Sequence, residues 1–138
     1  MKVFAFLLIV VAFFAVETEQ KEREKRSIFD FGRLIRCQTG RNPLDYNNYG
    51  NWCGFGGSGQ PVDATDRCCR THDLCYDRLL STGTCTKLQL RFKSYKTNGC
   101  TRCASSNSGC AAGLCNCDLA AAVCFRNALP TYDPSNKN

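Results

Sequence analysis

No glutamate occurs after Glu24, and a single histidine, His72, serves the whole 138-residue chain. With no second imidazole, any site built on two histidines is excluded, including a paired Cys/His zinc centre. With no glutamate in the body of the chain, every side-chain carboxylate there is an aspartate. The alternating Asp and Asn of an EF-hand are missing as well. So is an apolar run of the roughly 20 residues needed to cross a bilayer.

The longest apolar run is the stretch from Val3 to Val16, "VFAFLLIVVAFFAV", behind Lys2 and ahead of the polar "ETEQKEREKR". A positive start, an apolar centre of this length and a polar flank read as a secretory signal peptide. No small-x-small cleavage site marks its end, so residues 1–16 are assigned to it with a boundary between Ala15 and Glu19. Residues 17–26 read as a propeptide ending at the dibasic pair Lys25-Arg26, and residues 27–138 as one domain. That domain holds 13 Lys and Arg against 8 Asp, a net charge of +5. The surplus favours an anionic partner such as a membrane surface, with no nucleic-acid motif beside it.

All twelve cysteines lie in this part: Cys37, Cys53, Cys68, Cys69, Cys75, Cys85, Cys100, Cys103, Cys110, Cys115, Cys117 and Cys124. An even number in a small secreted chain reads as a disulfide framework, which also weakens any zinc reading because an oxidising compartment pairs thiols. At about 2–4 kcal/mol per bridge, six bridges offset a thin apolar core.

The expected architecture is mainly helical, small and disulfide-rich. "SIFDFGRLIRC" puts Ile28, Phe29, Phe31, Leu34 and Ile35 on one side of a helix, with Arg33 and Arg36 opposite. The Gly-, Asn- and Pro-rich stretch from Gln38 to Pro61 reads as loop. A long helix follows, with Asp63 and Asp66 in its first turn and an end near Leu80, before Gly83. "KLQLRFK", Lys87 to Lys93, alternates strictly and reads as a strand of a short hairpin whose tight turn is Asn98-Gly99. A second long helix covers about Gly109 to Ala128. The tail from Pro130 onward is polar and reads as loose.

Cys68 and Cys75 are seven residues apart, as are Cys117 and Cys124. Seven residues are two helical turns, so each pair lies along one face about 10 Å apart. Two antiparallel helices can therefore be bolted by Cys75–Cys117 and Cys68–Cys124, although twelve cysteines allow on the order of ten thousand pairings. This arrangement brings His72, one turn before Cys75, up to Asp118, the neighbour of Cys117. A histidine oriented by a buried carboxylate is a general base poised near neutral pH, and it needs no Ser or Cys nucleophile if it activates water. The plainer alternative is a histidine that merely packs between disulfides. Asp73 points about 100° further round the helix. There it meets "WCGFGGSG", Trp52 to Gly59, if Cys53 is bridged to Cys69. Backbone carbonyls of such a loop with one carboxylate make an oxygen cage suited to Ca²⁺. A flexible glycine-rich loop is the alternative.

Two segments carry a closer likeness. "DYNNYGNWCGFGGSGQPVDATDRCCRTHDLCYD" and "CNCDLAAAVCF" resemble the secreted phospholipase A2 family, and the likeness extends over nearly all of residues 27–138. The resemblance implies a Ca²⁺-dependent hydrolase cleaving the sn-2 ester of glycerophospholipids. It implies that His72 takes a proton from water while Asp118 holds His72, with Tyr76 and Tyr95 hydrogen-bonding that aspartate. It implies one Ca²⁺ held by the carbonyls of Trp52, Gly54 and Gly56 and the carboxylate of Asp73, the Gly54 N–H helping to hold the oxyanion. It further implies the bridges Cys37–Cys100, Cys85–Cys110 and Cys103–Cys115. Ile28, Phe29, Phe31, Leu34 and Ile35 would line an acyl-chain entrance facing the bilayer; the alternative is an ordinary core face, which some of them serve. Arg33, Arg36, Arg41 and Lys93 are candidates for contact with anionic lipid. Three departures stand out: Asn51 where many members have Cys, Trp52 where Tyr is commoner, and short segments at 37–45 and 100–103. The alternative function is a non-enzymatic toxin or receptor ligand on the same scaffold; a growth factor or protease inhibitor leaves the His-Asp pair and glycine loop unexplained.

Overall fold

The computed structural model describes residues 29–54 and 56–138. The signal-peptide and propeptide assignments, and Ile28, lie outside the described residues. Residues 29–39 form helix α1. A 3₁₀ turn, Pro43–Tyr46, opens the glycine-rich loop. Helix α2, Ala64–Ser81, and helix α4, Gly109–Ala128, are the two long elements, with short helix α3, Lys87–Phe92, between them. Strands β1, Thr97–Asn98, and β2, Arg102–Cys103, pair antiparallel, Thr97 opposite Cys103 and Asn98 opposite Arg102. No helix among the described residues is long and apolar enough to cross a membrane.

Helix α2 begins and ends for local reasons. Asp63 caps α2 by accepting the Asp66 N–H at 2.9 Å, and Asp66 and Arg78 sit at the ends that the helix dipole favours. The cap of α2 is followed by Gly83 at φ 72°. Along α4 the buried residues Cys110, Leu114, Cys117, Ala121 and Phe125 recur at three- and four-residue intervals. They make one stripe facing α2 and the body of the protein.

Six bridges consume every cysteine: Cys37–Cys100, Cys53–Cys69, Cys68–Cys124, Cys75–Cys117, Cys85–Cys110 and Cys103–Cys115. Two of them are rungs between α2 and α4, with Cα atoms 5.7 and 5.8 Å apart. Around them the apolar core is small: Leu34 and Ile35 from α1, Tyr46, Tyr49, Leu114, Ala122 and Phe125. Tyr46 stacks on Phe125 at 4.3 Å, which locks the 3₁₀ turn onto α4.

Three expectations are corrected. Residues 87–92 are helical rather than part of a strand, and Lys93 caps the helix in extended conformation. Thr86 accepts the Gln89 N–H while the Gln89 side chain accepts the Thr86 N–H, a capping box that fixes a helix start. The alternation of Leu88, Leu90 and Phe92 does not mark one buried face either, since Leu88 is 68% exposed. The hairpin does turn at Gly99 as expected, but its strands are only Thr97–Asn98 and Arg102–Cys103.

The tail is not loose. Tyr132 stacks on Tyr49 at 5.0 Å and Arg41 lies 3.8 Å over its ring. Pro134–Asn136 forms a 3₁₀ turn, and Lys137 pairs with Tyr49 across an isolated β-bridge. Aromatic packing at Tyr132 and a run of amide hydrogen bonds outweigh the polar composition of the segment.

Leu34 and Ile35 are 1% and 4% exposed and belong to the core, not to a face open to a bilayer. The helical stripe has two edges, and the inner edge is spent on packing. Phe29 remains exposed and Phe31 half-buried.

The α3 cap is directly testable. Thr86→Ala should lower unfolding free energy by about 1 kcal/mol, read from the denaturant midpoint. A strand at 87–93 would leave the midpoint unmoved.

Candidate functional site

The rungs at Cys68 and Cys75 bracket His72 on the face of α2 turned toward α4. His72 Nε2 lies 2.6 Å from Asp118 Oδ1, and the Asp118 side chain is 1% exposed. Tyr76 OH donates to Oδ1 at 2.7 Å and Tyr95 OH donates to Oδ2 at 2.7 Å. Burial, and then the Asp118 charge, raise both phenols far above the ordinary tyrosine range. Both therefore stay protonated as donors. A carboxylate that accepts from two hydroxyls is completed by a third donor, so His72 Nε2 carries the proton in this pair and Nδ1 is the ring nitrogen with a free lone pair. The structure brings His72, Asp118, Tyr76 and Tyr95 together.

The ring is fixed by packing as well. Phe31 of α1 stacks on the imidazole at 4.5 Å with planes 11° apart, and Tyr76 lies 4.4 Å away at a tilt. Phe31 was expected at an acyl-chain entrance, and its contact with His72 is something sequence reasoning missed. Asp30, beside it, accepts the Ser94 hydroxyl at 2.7 Å, which ties α1 to the segment bearing Tyr95.

Asp73 occupies a different environment. One turn earlier, Cys69 is bridged to Cys53, so Asp73 sits on the α2 face to which the loop from Trp52 to Gly59 is attached. The carboxylate is half-buried, and among the described residues no hydrogen-bond donor or cationic partner meets it. Burial raises its pKa above the ordinary 3.8, opposed by the nearby His72 and reinforced by Asp77. Gly54 adopts φ 120°, a turn closed to residues with a Cβ. Trp52 Nε1 donates to the Gly59 carbonyl at 3.0 Å, closing the loop on itself.

Among the described residues no three His, Cys, Asp or Glu side chains are grouped so as to hold a metal ion. An ion at this place must draw on backbone oxygens, and an uncompensated, partly desolvated carboxylate beside a carbonyl-rich loop fits a hard divalent cation.

Sequence reasoning also missed Asp66. Its carboxylate, fully buried, accepts the N–H groups of Asn51 and Val62 at 2.9 Å and of Trp52 at 2.8 Å. In "DATD" an aspartate at this place reads as first-turn capping, and no local signal separates the two roles. Of the candidate lipid-facing cations, Arg41 is engaged with Asp45 at 3.3 Å and with Tyr132. Arg33 bonds Thr97 and pairs with Asp30.

A family model described as phospholipase A2 matches residues 28–137. The chain is 40% identical over 139 residues to "Phospholipase A2" of Bos taurus, covering 96% of this chain and 94% of that one. It is 46% identical over 125 residues to "Phospholipase A2 A2-actitoxin-Ucs2a" of Urticina crassicornis, covering 90% and 79%. It is 45% identical over 113 residues to "Basic phospholipase A2 ammodytoxin A" of Vipera ammodytes ammodytes, covering 81% and 79%.

Two outcomes follow from the contrast between the carboxylates. Tyr95→Phe removes the one donor to Asp118 Oδ2 and should cost about 1–3 kcal/mol in urea unfolding. A cost near zero would mean that the oxygen finds water. For Asp73 the folded pKa is raised, so its stability contribution is complete below about 3.8 and is lost as pH rises through the raised value. In chelator, Asp73→Asn should therefore gain melting temperature relative to the unmodified chain as pH climbs from 3 to 7. A difference that stays constant with pH would contradict this.

Proposed function

The chain belongs to the phospholipase A2 family, and on that premise we propose that it is a secreted, Ca²⁺-dependent hydrolase. It cleaves the sn-2 ester of glycerophospholipids at membrane interfaces and releases a fatty acid and a lysophospholipid. The observation that carries the proposal is the 2.6 Å contact between His72 and the buried Asp118, completed by two tyrosine donors.

In the proposed reaction, Nδ1 of His72 takes a proton from water as the water oxygen bonds to the ester carbonyl carbon. Asp118 holds the imidazole through Nε2–H and stabilises the imidazolium. The bond from that carbon to the glycerol oxygen then breaks, and the leaving oxygen receives the proton from Nδ1. Phe31, stacked on the ring, keeps bulk water from one face of the base. The carbonyls of Trp52, Gly54 and Gly56 and the carboxylate of Asp73 would hold one Ca²⁺. When bound, the ion supplies polarisation of the ester carbonyl and neutralisation of the phosphate. The Gly54 N–H contributes to holding the carbonyl oxygen as it gains charge.

Exposed Phe29, with Phe31 behind it, forms the apolar approach from the membrane side. The +5 charge of residues 27–138 favours anionic lipid. A signal peptide over residues 1–16 and processing after Arg26 would deliver the chain outside the cell, where its disulfides persist.

The test is fatty-acid release from phospholipid vesicles. It should require Ca²⁺, stop with EGTA, and fall by about 10²–10⁴ in kcat for His72→Gln while Ca²⁺ binding is kept. A non-enzymatic toxin or receptor ligand on this scaffold would show neither dependence, and that result would overturn the proposal.

A further inference from the structure

The segment after α4 makes more hydrogen bonds to the loop entry than its composition suggests. Asn136 O accepts the Gly50 N–H at 2.8 Å, and Asn138 N donates to Asn48 O at 2.8 Å. Asn138 Nδ2 donates to Gly50 O at 2.9 Å. Asn136 Nδ2 donates to Asp63 Oδ2 at 3.1 Å, and the Asp133 N–H donates to Tyr49 OH at 3.0 Å. Tyr49 OH in turn donates to Asp63 Oδ2. Asn48, Tyr49, Gly50 and the α2 cap Asp63 are thus all bonded by the tail.

What the tail holds lies directly under the ion-binding loop. A Cβ added at Gly54 would meet Asn48 Oδ1 at 3.0 Å and Asn48 N at 3.4 Å, so Asn48 is the floor beneath Gly54. A Cβ added at Gly50 would lie 2.5 Å from Asp66 Cγ. Gly50 is therefore pressed against the carboxylate that holds the amides of Asn51 and Trp52. A shift at Asn48 or Gly50 passes to residues 52 and 54 with no slack between them.

We propose that Asp133–Asn138 is a positioning strap for the ion-binding loop, one that sets how tightly the loop holds a divalent cation without taking part in proton transfer at His72. The proposal rests on the reading of this loop as the Ca²⁺ site. The strap touches neither His72 nor Asp118, which the rungs fix separately. Coupling between strap and ion is reciprocal: if an ordered strap favours the ion, the ion favours an ordered strap.

The test uses Trp52, the single tryptophan of the chain, as an internal probe of the loop. Ca²⁺ is titrated into the unmodified protein and into Asn136→Ala, followed by Trp52 fluorescence and by calorimetry. The midpoint should rise about tenfold in Asn136→Ala, a typical coupling between linked sites. Turnover at saturating Ca²⁺ should stay within about twofold of the unmodified chain, a split that general loss of structure would not give. Ser135→Ala, whose side chain makes no bond to the loop, should leave the midpoint in place. A second measurement needs no variant: Ca²⁺ should slow amide exchange at Gly50. An unshifted midpoint in Asn136→Ala, turnover lost even at saturating Ca²⁺, or unaltered Gly50 exchange overturns the strap. If the unmodified chain itself gives no Ca²⁺ response and hydrolyses vesicles fully in EGTA, the ion-site reading fails and the strap with it. A normal response with an unshifted variant sinks the strap alone.

Discussion

Two covalent rungs between α2 and α4 govern the whole arrangement. Together they join two residues seven apart on one helix to two residues seven apart on the other, so the helices can neither slide nor rotate independently. A hydrophobic interface of this size would not impose that register, because alanines and cysteines dominate the buried face of α4. Small side chains allow close approach but lock little. With the register fixed covalently, a buried carboxylate at 118 can be kept opposite a histidine at 72. The cost of burying it is met by three donors rather than by a large core.

The two aspartates of the site then differ in a way that decides their chemistry. Asp118 is almost wholly enclosed and fully satisfied, so it is a fixed acceptor that orients imidazole. Asp73 is only half-enclosed and lacks a donor among the described residues, so burial disfavours its charge. His72 meets the satisfied carboxylate while Asp73, its neighbour on α2, faces a different environment, because a step of one residue turns the side chain by about 100°.

How much of this was legible in the sequence depended on the length of each pattern. The rung spacing was readable because heptad separations on two long helices have few other physical uses in a cysteine-rich chain. It carried the helix pair, and with it the proximity of His72 and Asp118. At residues 87–93 a seven-residue segment cannot separate the two periods: Leu88 and Phe92 satisfy the two-residue alternation and also the four-residue helical step. The deciding signal was Thr86 with Gln89, a pair that the alternation obscured. The tail was misjudged for another reason. Polar composition forecasts disorder only when the polar groups bond to water, and here they bond to the carbonyls and amides of a glycine-rich loop that has no internal ladder. Leu34 and Ile35 show the remaining limit, since a helical stripe records that a face is apolar but not which edge of it meets a partner.

The loop therefore depends on forces unlike those acting on the base. His72 is held by disulfides, ring stacking and a buried acceptor, all of which survive modest changes in solvent exposure. Asn48–Gly54 is held by amide hydrogen bonds from the tail and from Asp66, joined to α2 by the single bridge at Cys53. Hydrogen bonds at an exposed rim compete with water and open far more easily than covalent rungs. Ordering of the loop is then the more variable quantity in the molecule, and the His72–Asp118 geometry the more constant one. On the reading proposed above, an ion bound there would supply the missing partner of Asp73 in the part of the site that a single cross-link holds.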